Sequence, residues 1–169
     1  MGSMIDQMTE AMTWLGSQED AIFLGQGVAY QGTKMSSSFI GVPREKLVEF
    51  PVCEALQLGA SIGLSLEGFV PVSIFPRLNF LLCAMDQLIN HLDKLPLFSD
   101  YRPKVIIRTA IGSKKPLDAG PQHTGDYFAA LSGMLETVIT RRVVGVNADP
   151  LIVYQEAYRR NESTLVMEG

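Results

Sequence analysis

The chain has 169 residues, 47% of them hydrophobic and only 19% charged, with a formal net charge of −4. That length suits one domain burying about 70% of its unfolded surface, so neither disulfides nor a structural metal is required. No run of Lys or Arg exceeds two residues, which excludes the phosphate-neutralising stripe of a nucleic-acid binder, and no apolar run reaches the roughly 18 residues of a membrane span.

The N-terminus lacks an apolar signal core, so a cytoplasmic location is expected. Met1-Gly2-Ser3, ahead of a second methionine, reads as an expression remnant. Cys53 and Cys83 both stand in apolar segments and are expected to be reduced and buried. The low share of charge leaves apolar surface for an interface.

Ile5, Met8, Met12 and Leu15 recur at spacings of three and four before Gly16, the pattern of an amphipathic helix with a glycine stop. Residues 21–24 form a short buried strand that ends in Gly25-Gln26-Gly27, a pair of glycines that permits a sharp turn but lacks the third glycine of a dinucleotide fingerprint. Residues 29–46 are a polar connection with room for one helical turn, the most mobile one expected. Residues 47–50 are the second strand, Pro51 blocks further pairing, and a helix over 54–67 follows with Glu54 in its first turn. Gly59, Ala60 and Gly63 strip one face of that helix, at roughly 1 kcal/mol for each glycine, which implies close packing against another helix.

Residues 70–74 are the third strand, and 78–95 the longest helix, with Phe80 at its mouth and His91 at a polar position. A fourth strand spans 104–109. The loop 110–124 carries His123 behind Gly120-Pro121-Gln122, and loops of that length in compact domains tend to be functional or disordered. A short helix over 125–133, strands over 137–140 and 151–155, and a polar tail over 159–169 complete the chain. Strands alternating with helices predict an α/β fold, a mainly parallel sheet with helices on both faces.

No Walker loop, GxSxG, HExxH or cysteine cluster is present, and with two histidines no self-contained metal site is expected. Taken singly, Glu54 is a carboxylate favoured by a helix N-terminus, Phe80 a core aromatic and His123 a loop histidine. Together they stand in a specific setting: Pro51-Val52-Cys53-Glu54-Ala55, Gly59-Ala60-Ser61-Ile62-Gly63, Glu67-Gly68-Phe69-Val70-Pro71-Val72, Asn79-Phe80 with Asp86-Gln87, and Gln122-His123-Thr124. This text resembles the pyrimidine-binding domain of transketolase-like thiamine-diphosphate enzymes, and most of all the beta subunit of pyruvate and branched-chain 2-oxo acid dehydrogenases. The likeness covers residues 4–158.

The resemblance implies that Glu54 hydrogen-bonds the N1′ nitrogen of the cofactor's aminopyrimidine and so activates it, that Phe80 stacks on that ring, and that His123 handles protons or charge on the substrate. It also marks Gln26 as cofactor-binding, although the family commonly has an acidic residue there. The family's diphosphate-binding half, with Gly-Asp-Gly and a downstream Asn for Mg²⁺, has no counterpart here, since Gly125-Asp126-Tyr127 lacks the third glycine. Nor does the family's second domain follow residue 158, and the stretch 138–151 is shorter than the family's. The resemblance therefore implies an alpha-like partner that brings the diphosphate site and Mg²⁺, in a heterotetramer active only when both chains are present. The implied reaction is decarboxylation of a 2-oxo acid and transfer of its acyl or hydroxyalkyl unit. A carboligase of acyloin, acetolactate or transketolase type is the alternative, and a non-catalytic scaffold the third reading.

Overall fold

The computed structural model describes residues 3–30, 32–115, 118–145 and 148–169. Six strands, β1 Ala21–Gly25, β2 Leu47–Glu49, β3 Val70–Phe75, β4 Ile106–Ala110, β5 Ile139–Val143 and β6 Thr164–Glu168, form one sheet in the order β2-β1-β3-β4-β6-β5. Every pairing is parallel, as the alternation of strands and helices predicts. Parallel neighbours cannot be joined by hairpins, so each connection crosses a face of the sheet and covers it.

Helices α1 Met4–Gly16 and α7 Pro150–Arg159 pack over one face, burying Met12, Leu15, Phe23, Val72, Ile74, Tyr154 and Val166. The opposite face is covered by α3 Glu54–Leu66, by the helical stretch beginning with α4 Leu78–Leu81, and by α6 Phe128–Met134, with Leu58, Leu81, Leu88, Ile107 and Leu165 between them. Strand periodicity sorts the two layers: Ile106 and Val166 face α1 and α7, while Ile107 and Leu165 face α3. β3, covered on both sides, is buried at all of its positions. The short helices α2 Lys34–Ser37 and α5 Leu95–Phe98 lie in connections. No helix among the described residues is long and apolar enough to cross a membrane.

Several sequence expectations change. Residues 151–155 are not a strand but the middle of α7, because the Asp149 carboxylate accepts from the Leu151 amide at 2.9 Å and Pro150 opens the first turn, an N-cap and N1 pair that fixes a helix start. The expected polar tail contains β6, which sits between β4 and β5. Its Leu165, Val166 and Met167 are wholly buried. The helix expected over 78–95 keeps its path but not its hydrogen bonding: a 3₁₀ turn at Leu82–Ala84 and a π-helix at Asp86–Leu92 separate α4 from α5. Cys53 and Cys83 are exposed, not buried. Ser3 caps α1, its hydroxyl accepting from the Asp6 amide at 3.3 Å while Asp6 accepts from the Ser3 amide at 2.8 Å, which leaves the reading of Met1-Gly2-Ser3 as it was.

The strand order positions the site. From β1 the chain moves outward to β2, then crosses back over β1 to β3 and continues to β4 on the far side. Connections thus leave β1 and β3 in opposite directions and open a crevice beyond their carboxyl ends, the place where open α/β sheets bind ligands. α3 is pinned over that point by Gln57, which is 1% exposed. Its amide donates to the Ile74 carbonyl of β3 at 2.9 Å, the Ser73 hydroxyl at 3.1 Å and the Leu24 carbonyl of β1 at 3.4 Å.

Candidate active site

Glu54 is the first residue of α3, which opens after a short connection from the β2 end, and is half-buried. Gln26, directly after β1, donates its side-chain amide to Glu54 Oε1 at 3.3 Å. No described residue donates to Oε2. The turn that carries Gln26 is held by Glu49, the last residue of β2, which accepts from the Gly27 amide at 2.6 Å and the Ala29 amide at 2.9 Å. Gly25 lets β1 and β3 run close at this end, since a Cβ there would lie 2.6 Å from the Ile74 carbonyl oxygen. An acidic side chain at position 26 would face Glu54 with a second carboxylate. The amide supplies a donor instead, which fixes one oxygen and leaves the other.

Phe80 lies in α4, after β3, and His123 in the loop after β4. Their rings meet edge to face, with centroids 5.7 Å apart and planes at 62°, the arrangement that aromatic quadrupoles favour. Asn79 Oδ1 is 2.8 Å from His123 Nδ1, a contact that holds the imidazole in place. The His123 backbone is fixed too: its amide donates to the Gly120 carbonyl at 3.1 Å, and its carbonyl accepts from the Gly112 amide at 2.9 Å. Only glycine fits at 112, because a Cβ would stand 2.3 Å from the His123 carbonyl oxygen.

All four residues singled out from sequence follow strands that are consecutive in the sheet: Glu54 after β2, Gln26 after β1, Phe80 after β3 and His123 after β4. Gln26 touches Glu54 and Phe80 touches His123. Among the described residues, no hydrogen bond or ring contact joins one pair to the other. Glu49, Gln57 and Asn79, which orient these residues, were not identified as functional from sequence. The one available signal was that each is a polar residue close to the carboxyl end of a strand or the opening of a helix in this crevice. An aminopyrimidine ring suits this half of a site, offering a ring nitrogen to the open oxygen of Glu54 and a flat apolar face to Phe80. Among the described residues, no three His, Cys, Asp or Glu side chains gather to hold a metal ion.

No protein-family model matches the chain, and no curated protein matches it. Solved structures do match. A split-gene transketolase described as an inactive β4 tetramer superposes with TM-score 0.72 at 17% identity, over 96% of this chain and 49% of its own. The transketolase from Campylobacter jejuni subsp. jejuni NCTC 11168 gives 0.74 at 14%, over 96% and 25%. That from Leishmania mexicana gives 0.67 at 15%, over 96% and 24%. The chain has the transketolase-like fold, and spans about half the length of the first of these proteins and about a quarter of the other two.

Proposed function

We propose that this chain is the pyrimidine-binding half of a thiamine-diphosphate-dependent enzyme, completed by a second polypeptide that holds the diphosphate and Mg²⁺. The observation that carries this reading is the placement of a half-buried carboxylate bonded to Gln26 and of an aromatic–histidine pair after four consecutive parallel strands, on either side of the reversal between β1 and β3. When bound, the cofactor would supply a nucleophilic carbon for a 2-oxo acid and an electron sink for the bonding pair left behind as carbon dioxide departs. Glu54 shares a proton with the pyrimidine nitrogen through its open oxygen while Gln26 keeps the carboxylate from turning away. Phe80 lies against the ring and excludes water. His123, held by Asn79, handles protons or charge on the substrate.

The partner has a surface to meet. Val52 and Leu56, on either side of Glu54, and Leu66 at the other end of α3 are exposed. Gly63 has open space where its Cβ would be, whereas Gly59 is already met by Gln87 at 3.3 Å. Burying such a face in an alpha-like subunit, in a two-plus-two heterotetramer, accounts for the apolar composition. The acceptor divides the readings. Transfer of an acyl unit follows from the sequence likeness to dehydrogenase beta subunits, whereas the transketolase neighbours, one of them split-gene, favour a carboligase that forms carbon–carbon bonds.

Co-purification of this chain with a partner that carries a diphosphate-binding domain, followed by assay of 2-oxo acids with lipoamide or with an aldehyde, tests the proposal. Thiamine-diphosphate-dependent carbon dioxide release by the pair and none by either chain alone is expected. Lipoamide acylation or aldehyde ligation then tells the two readings apart. A pair that binds together with full activity in the Glu54→Ala variant overturns the cofactor-activating role and leaves only the scaffold.

A further inference from the structure

We infer that Lys34 and Arg77 form an anion subsite that receives a carboxylate or phosphate group of the substrate, an inference that rests on the reading of the neighbouring site above. A cavity of about 420 Å³ opens at the reversal between β1 and β3, lined by Gln26, Thr33, Lys34, Arg77, Gly112 and Ser113 among others, a size suited to a small molecule. Two of its walls belong to the candidate active site: Gln26 is bonded to Glu54, and the Gly112 amide to the His123 carbonyl. A molecule in this cavity therefore lies next to both halves of that site.

The charge of the cavity is one-sided. Among the described residues, two cationic side chains line it and no acidic one does. The ion pairs among the described residues engage Lys94, Arg108, Arg142 and His91, and none engages Lys34 or Arg77. Arg108 shows the contrast, since its guanidinium is bound by both oxygens of Glu168 at 2.6 and 3.2 Å. In a chain of net charge −4, two unneutralised cations at a concave wall focus a local positive potential that concentrates anions. The planar fork of Arg77 matches two oxyanion atoms at once, Lys34 adds a point charge, and the hydroxyls of Thr33 and Ser113 can donate to the same oxygens. The ligand class is thus an organic acid or a phosphate ester, and an uncharged carbonyl compound is selected against.

The test is a ¹⁵N–¹H TROSY titration of the full chain with inorganic phosphate and, separately, with pyruvate, ionic strength being held constant with NaCl. Saturable shifts at Gln26, Arg77 and Ser113 are expected. The dissociation constant should rise about 10-fold or more in Arg77→Gln, as for a lost charge-assisted hydrogen bond, and should rise also in Lys34→Gln, whose side chain is exposed. Saturation by pyruvate alone assigns the subsite to a carboxylate, and saturation by phosphate alone to a phosphate ester. Shifts that NaCl reproduces, or binding unchanged in both variants, overturn the subsite. Glu54→Gln should leave anion binding intact, so a failure of the cofactor reading and a failure of this one are separable: the first appears only with thiamine diphosphate, the second only with the simple anions.

Discussion

Phe80 and His123 meet edge to face. An aromatic pair is worth about 0.5–1.5 kcal/mol beyond its buried area. Phe80→Ala in the reconstituted enzyme should therefore weaken thiamine-diphosphate affinity roughly 3- to 10-fold, with turnover at saturating cofactor much less affected; an unchanged titration curve would remove the stacking role. Glu54→Ala should cut turnover by about 10²-fold or more, the scale of a lost acid–base group, and steady-state assay at saturating cofactor checks it. These residues were legible in sequence because each occupies a fixed place in a motif. Asn79, which bonds the His123 ring, stood in the same motif without a visible partner, since the residue it holds is 44 positions away.

Among the elements, the junction of the π-helix with β5 is held by one carboxylate. Asp93 is fully buried and accepts from the backbone amides of Glu136, Thr137 and Val138 at 2.8 to 3.1 Å, with Lys94 at 3.0 Å. Burial alone would raise its pKa, but the amides and Lys94 outweigh burial and hold it below the ordinary carboxylate value. A folded-state pKa below the unfolded one means that the native state binds this proton less readily. The stability contributed by Asp93 is therefore complete above about pH 4 and lost as the pH falls through its folded value. Asp93→Ala should cost about 3 kcal/mol by leaving buried amides unpaired and should flatten acid unfolding followed by circular dichroism; a variant as stable as the parent at neutral pH would contradict this. Such ties also explain what sequence could not supply. β1, β2, β3 and α3 are bounded by local signals, Gly25, Pro51 and Gly68. In contrast, β6 is five residues whose burial depends on β4 and β5, and the apolar run of α7 has no strand-or-helix signature except its cap.

At the scale of the whole molecule, the sheet is locked from its α1 face by Arg108 of β4, which is 2% exposed. Glu168 of β6 binds its guanidinium, Tyr154 of α7 donates to Glu168 at 2.8 Å, and Arg108 donates to the Ser38 hydroxyl at 2.7 Å. Burial would lower the Arg108 pKa, but Glu168 and Tyr154 outweigh it and raise it, while burial and then Glu168 raise that of Tyr154. Glu168→Gln removes the countercharge from a buried cation and should cost about 3–5 kcal/mol, measured by urea unfolding; a loss within 0.5 kcal/mol, about the scale of a surface change, would contradict the network. The apolar face at Val52, Leu56 and Leu66 predicts that the chain alone self-associates without activity and gains activity only with its partner, which light scattering and assay of the mixed chains would follow. The account as a whole depends on Glu54 acting on a cofactor that two chains share. Its most direct test is the rate of deuterium exchange at the thiazolium C2 of thiamine diphosphate bound to the reconstituted pair, parent against Glu54→Gln. A fall of about 10²-fold or more is predicted, and equal rates in the two proteins would contradict the account.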